Sequence, residues 1–387
     1  TLGTAPTPGP DANDRVERLA ALAWSAADEQ DAKHAEDLKR DREEGKKYSE
    51  QVDKELKAST NAEMNERLQR IAKEITDIAN RTRTSVLWGD KRLNTFDYTF
   101  KLVEGKDVNA FSLPGGYIYF YEGLVKYTES DDELAGVVAH EIAHASLRHL
   151  ATLEREQEKV SRIQLPLVLL AILTGGMSAA VNTMQVTGMV GQAIGSGWSV
   201  KAEQAADYTG LQYIVQSRYN ATGMLTMMER LALDERNGPQ IDWGIYQTHP
   251  PGRERANSLK RFLKEAQIPV RRSEVTTTFR TTVKPGDDGT VQIFFGDRPI
   301  VKLAGEDALL RADDAAKRLN AFFDSTPPLY DVSSDSGDLL GRRQVLFRLT
   351  KRDADAAKTD LKALETQALL AIRSSLVRIQ FRIWDIK

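Results

Sequence analysis

Apolar and polar positions along the chain follow two periods, a helical one over most of its length and a strand period in short stretches. Residues 13 to about 82 are dominated by Ala, Leu, Glu, Lys and Gln and contain no proline, which predicts helix. From Asp31 to Lys57 charge falls almost everywhere, the pattern of a solvated helix held by i,i+4 ion pairs. Past Met64, the residues Leu68, Ile71, Ile75 and Ile78 make an apolar stripe at helical spacing. Near Thr95 the period changes. Phe96, Tyr98, Phe100 and Leu102 alternate with polar residues as a strand does, and Tyr117 to Tyr121 form a second β-rich run behind Pro114-Gly115-Gly116. Ser130 and Glu133 have capping-box spacing, so a helix is expected from about Asp131 to Glu154.

Residues 164–198 are apolar and glycine-rich, which suits one or two packed helices or a flap that covers substrate or touches a membrane. Helical texture returns over 199–237, a loop carries Thr248-His249-Pro250-Pro251, and a further helix spans about Gly252 to Ala266. Ile268 to Ser273 reads as a domain boundary. Beyond it, strands are predicted over Val275–Val283 and Thr290–Phe295, and Val377, Ile379, Phe381 and Ile383 alternate as a closing strand. The stretch from Gly296 to Ala308 parallels that from Gly341 to Ala354, which suggests a duplicated βα unit. The expected class is α+β: a mainly helical domain with a small sheet, then a C-terminal α/β domain.

Composition narrows the chemistry. The 387 residues are 41% hydrophobic and 28% charged, which excludes a wholly disordered chain. With 53 basic against 56 acidic residues, the net charge of -3 gives no footprint for nucleic acid. There is no cysteine, so disulfides, thiolate nucleophiles and Cys-ligated metals are excluded. A metal would have to be held by carboxylates and by some of five histidines: His34, His140, His144, His149 and His249. No apolar run reaches the ~18–20 residues that span a bilayer. The longest, Leu165 to Leu173, contains Pro166. The flexible Pro- and Gly-rich start at Thr1 reads as the trimmed start of an exported bacterial chain, pointing to a periplasmic, secreted or envelope-associated protein, with a cytoplasmic location as the alternative.

His140-Glu141-Ile142-Ala143-His144 is H-E-x-x-H on a predicted helix. Residues i and i+4 share a helix face, so both imidazoles can meet one ion, while Glu141 stands about 100° away and can reach a water on that ion. This is the arrangement of a metalloprotease base. Two histidines and a water leave a tetrahedral zinc site one protein ligand short. Position 150, where a closely spaced third histidine would fall, is leucine. A carboxylate on a later helix is therefore expected. Glu203 and Asp207, i and i+4 among small residues, offer a ligand and an acceptor for a ligating imidazole; a solvent-exposed acid pair is the alternative. His149, five residues past His144, is expected to point elsewhere as a surface or capping histidine.

His140-Glu141-x-x-His144, Glu203-x-x-Ala206-Asp207, Asn109-Ala110-Phe111-x-x-Pro114-Gly115-Gly116 and Thr248-His249-Pro250 with Arg255, in this order, resemble the Ste24/HtpX-like family of gluzincin zinc metallopeptidases over roughly residues 40 to 265. The resemblance implies one Zn2+ per chain held by His140, His144 and Glu203, with Glu141 as catalytic base. It also implies that His249 lies near the metal, either stabilising the oxyanion or capping the ion in an autoinhibited state. Arg255 would then anchor the loop or pair with a carboxylate such as Asp207. Ala205 departs from the family, which usually has a second acid there; the position is not a ligand, so activity is expected to survive. Asn109, Ala110, Phe111, Ser112, Gly115 and Gly116 are expected to receive an extended substrate by β-addition.

The expected organisation is a flexible segment 1–12, a helical region 13–95, a metallopeptidase domain 96–270 and a C-terminal domain 271–387 that binds a partner. The expected activity is endoproteolysis of unfolded or extended proteins, with no nucleic acid involved and peripheral membrane or envelope contact through 164–198 or the C-terminal domain. A competing reading makes the chain an envelope chaperone or assembly factor with a latent protease site.

Overall fold

The computed structural model describes residues 10–152, 198–237, 252–286 and 288–380. Helix α1 (Pro10–Glu55) precedes α2 (Ala62–Ala79), whose Leu68, Ile71, Ile75 and Ile78 are almost wholly buried. A small sheet follows, made of β1 (Thr99–Val103), β2 (Ala110–Leu113) and β3 (Tyr117–Tyr121). Its order is β1-β3-β2, with β1 parallel and β2 antiparallel to the central β3, so β2 is an edge. Short α3 (Glu122–Tyr127) leads to α4 (Asp131–Ser146), then α5 (Trp198–Ile214), α6 (Thr222–Asn237) and α7 (Gly252–Glu265). The mainly helical α+β class is as the sequence predicts. Among the described residues no helix is long and apolar enough to cross a membrane.

One hydrophobic core joins α2, the sheet, α4, α5, α6 and α7. The stripe of α2, within the helical region expected over 13–95, thus packs into the same core as the H-E-x-x-H helix. Helix α1 is not solvated all round. Leu38, Asp41, Ser49 and Val52 are buried on one face, which lies against the Pro114–Gly116 turn.

After α8 (Arg272–Val275) come two three-stranded antiparallel meanders. β4 (Thr281–Pro285), β5 (Thr290–Phe295) and β6 (Arg298–Ala304) precede α9 (Ala308–Asp324). β7 (Val332–Asp335), β8 (Asp338–Gly341) and β9 (Gln344–Arg348) precede α10 (Lys351–Ala356) and α11 (Leu361–Gln380). The repeated unit is therefore a meander followed by helix, larger than the βα pair the sequence suggests. Both units share one core, since α9 also packs on β9 and α11 also packs on β6.

Three expected elements differ. The strand over Val275–Val283 begins only at Thr281, because Thr276, Thr277 and Thr278 fold around the Glu129 carboxylate. The closing strand is a helix as far as Gln380, with Ile372, Leu376 and Ile379 buried at helical spacing; residues 381–387 lie outside the description. The helix expected to reach Glu154 stops at Ser146, for a reason that bears on the site.

Candidate metal centre

Helix α4 starts where Ser130 accepts a hydrogen bond from the Glu133 N–H (3.2 Å). Glu133 does not return the bond to Ser130, as a full capping box would. Its carboxylate accepts from the Glu129 N–H (2.8 Å) and pairs with Arg230 (2.5 Å). Leu134, Ala135, Val138, Ala139, Ile142 and Ala143 are all wholly buried, so the helix is encased rather than amphipathic. Close approach depends on missing side chains. A Cβ on Gly210 of α5 would sit 3.2 Å from the Ala139 carbonyl, and one on Gly136 would sit 3.0 Å from the Met224 Cα of α6. The His140 and His144 rings are thereby carried on a rigid element.

The two Nε2 atoms stand 3.0 Å apart. Glu203 of α5 brings Oε2 to 3.3 Å from His140 Nε2 and Oε1 to 3.2 Å from His144 Nε2. Ligands about 2.0–2.1 Å from one ion in a tetrahedral array stand about 3.3 Å from each other. The spacing, the two imidazoles and the carboxylate therefore fit a single Zn2+, and among the described residues these three make the candidate cluster.

Asp207 lies one turn beyond Glu203, with Oδ1 2.9 Å from His140 Nδ1. Arg255 of α7 donates to both Asp207 oxygens (2.9 and 2.7 Å) and reaches Glu203 Oε2 at 3.0 Å. Burial would raise the Asp207 pKa, but the Arg255 guanidinium outweighs it and holds the carboxyl at about 2. Burial and Arg255 oppose protonation of His140, yet Asp207 and Glu203 prevail and raise it to about 9. A bound cation must displace that proton. Burial lowers the pKa of His144, which favours the neutral form a metal needs.

Glu141 is 2% exposed and lines a crevice with His140, Val137, Met224, Met227 and Met228. Asn109 to Ser112 follow the edge strand β2 beside α4, with side chains buried. Gly115 and Gly116 are engaged elsewhere. A Cβ on Gly115 would meet the α1 backbone at Arg42 (2.6 Å), and one on Gly116 would meet Phe96 and Tyr98 (3.0 Å). Thr248, His249 and Pro250 lie outside the described residues, as does nearly all of 164–198.

Two features escape sequence reasoning. At Leu147-Arg148 the helix breaks, with Arg148 in the left-handed region (φ 50°) and its side chain buried among Asp41, Asp90 and Asp37. His149, expected at the surface, is 4% exposed and stands 2.9 Å, Nδ1 to Nδ1, from His144. In the sequence Asp37 and Asp41 are two acids among many in a charge-rich helix, and only the structure shows that they are buried against Arg148.

The model for peptidase family M48 matches residues 62–263, more than half of the chain. The chain is 30% identical over 178 residues to the beta-barrel assembly-enhancing protease of Escherichia coli K12, covering 42% of this chain and 35% of that protein. It is also 30% identical over 161 residues to the mitochondrial metalloendopeptidase OMA1 of Schizosaccharomyces pombe, covering 41% of this chain and 45% of that protein. The chain thus spans between a third and a half of the length of these relatives. The H-E-x-x-H helix, the Glu203 helix and Arg255 all fall inside the matched span, and the chain belongs to peptidase family M48.

Proposed function

We propose that this chain is a zinc-dependent endopeptidase, of the Ste24/HtpX-like kind, that cuts unfolded or extended proteins in a bacterial envelope. The observation that carries the reading is the set of two imidazole nitrogens and one carboxylate, meeting at 3.0–3.3 Å, next to buried Glu141. A zinc ion bound by His140, His144 and Glu203 would polarise the scissile carbonyl and make water acidic enough to lose a proton near neutral pH. Glu141 takes that proton and passes it to the leaving amine. Asp207 orients His140 through Nδ1, and Arg255 holds the Glu203 and Asp207 carboxylates in place. An extended substrate adds along the edge strand β2, with Asn109, Ala110, Phe111 and Ser112 as its backbone template and the Gly115-Gly116 turn closing that strand against α1. His249 either stabilises the oxyanion or caps the ion. The unit from 271 onward binds a protein partner. The E. coli relative is named a protease and the yeast relative a metalloendopeptidase, and both names support endopeptidase activity.

The test is cleavage of casein and other unfolded proteins by the purified chain. Activity should vanish with chelator, return with Zn2+, and be absent from a folded Glu141→Gln variant. Equal inertness of wild type and Glu141→Gln would overturn the reading in favour of a chaperone or assembly factor.

A further inference from the structure

Beside the H-E-x-x-H pair lies a third imidazole that the peptidase reading leaves without a task. On a regular helix His149 would stand about 140° round from His144. The left-handed turn at Arg148 swings it back, so that the two Nδ1 atoms meet at 2.9 Å between buried rings. Two ring nitrogens this close share one proton, with one donating and the other accepting. His149 Nε2 lies 3.3 Å from the Trp88 carbonyl oxygen, which can only accept. His149 therefore carries its hydrogen on Nε2, and its Nδ1 accepts. His144 must then donate from Nδ1, which leaves the lone pair on Nε2, the atom that faces His140 and Glu203. Gly89 admits the Trp88 loop to this position. It has φ +109°, and a Cβ there would lie 2.8 Å from the Leu147 carbonyl and 3.0 Å from the His149 ring.

We propose that His149, braced by the Trp88 carbonyl, is a positioning residue that fixes His144 as its Nδ1–H tautomer and aims its Nε2 at the metal. The inference rests on the reading of His140, His144 and Glu203 as ligands. It makes the two ligand rings unequal. An anionic carboxylate holds His140, whereas a neutral imidazole orients His144 without adding charge to the centre.

The test measures Zn2+ affinity of the full chain by competition with a chromogenic chelator, together with the visible spectrum of the Co2+-loaded protein. His149→Phe keeps a ring but cannot accept; His149→Gln keeps one acceptor and one donor. His149→Phe should weaken binding about 10–100-fold and move the Co2+ bands, while His149→Gln stays within a few-fold of wild type. Circular dichroism and thermal midpoints verify that both variants fold. If His149→Phe binds Zn2+ as wild type does while His144→Ala has lost binding, the relay is refuted and the ligand set survives. If His144→Ala also binds as wild type does, the ligand set falls and the relay falls with it.

Discussion

Gly45 of α1 passes so close to Pro114 that a Cβ on it would lie 1.8 Å from the Pro114 carbonyl oxygen. The N-terminal helix is thus seated directly on the turn that ends the edge strand. Alanine at an open helical site raises stability by up to about 1 kcal/mol over glycine. Here Gly45→Ala should instead cost about 1–3 kcal/mol, because a backbone atom must yield. Urea denaturation of the two proteins measures the sign, and a more stable Gly45→Ala would show that α1 does not pack this tightly.

Removing the metal should lower stability as well as activity. An ion at a hundred times its dissociation constant adds about 2.7 kcal/mol to the folded state. Wild type with Zn2+ should therefore melt several degrees above wild type with chelator. Glu203→Gln should shrink that gap most of the way to zero, and a gap unchanged by Glu203→Gln would remove the carboxylate from the ligand set.

Glu129 ties the helical core to the chain beyond α8, accepting from the Thr277 and Thr278 N–H groups (2.6 and 2.9 Å) and from hydroxyls of Thr276, Thr277 and Thr278. Burial works to raise its pKa, but the hydroxyls and the charge of Arg230 outweigh it and hold the group at about 2, against an ordinary 4.5. A depressed carboxylate stabilises the fold fully above its unfolded pKa. That contribution disappears as pH falls from 4.5 towards 2. Partial exposure limits it to about 1–2 kcal/mol. Glu129→Gln should flatten the acid limb of the stability curve in this window while changing little of its slope near pH 7.

Arg148 is wholly enclosed by three aspartates, and Asp41 is itself 2% exposed. Truncating the cation strands a buried anion, a change that costs about 3–5 kcal/mol. Arg148→Met should accordingly lose that much in chemical denaturation, and the double variant Arg148→Met/Asp41→Leu should recover part of it. Additive losses in the double variant would contradict the direct pairing.

The parts of the site that the sequence discloses are those governed by local spacing. His140 and His144 are one turn apart, and so are Glu203 and Asp207, with alanines and Gly210 allowing the two helices to meet. The Arg255 pairing with Asp207 came from resemblance rather than from spacing. What stayed hidden is set by residues distant in the chain. The break after Ser146 depends on Asp37, Asp41 and Asp90, so nothing in the run from Asp131 to Glu154 announces it. Thr276, Thr277 and Thr278 have the β-branched texture of a strand, yet a carboxylate from far upstream captures the Thr276 hydroxyl and the N–H groups of Thr277 and Thr278. In α11, Val377 and Ile379 alternate as a strand would. Leu376 and Ile379 also satisfy the helical period that begins at Ile372, and burial of that face decides between the two.

Phe322 of α9 presses its ring onto the second meander at Gly341, where a Cβ would lie 2.5 Å from it. In the other direction, α11 reaches back over β6 of the first meander. The two C-terminal repeats are therefore interlocked halves that must melt as one body. Chain cut in the loop between Asp324 and Val332 would give fragments that each lose the helix lent by the other repeat, and only recombined could they rebuild the shared interior.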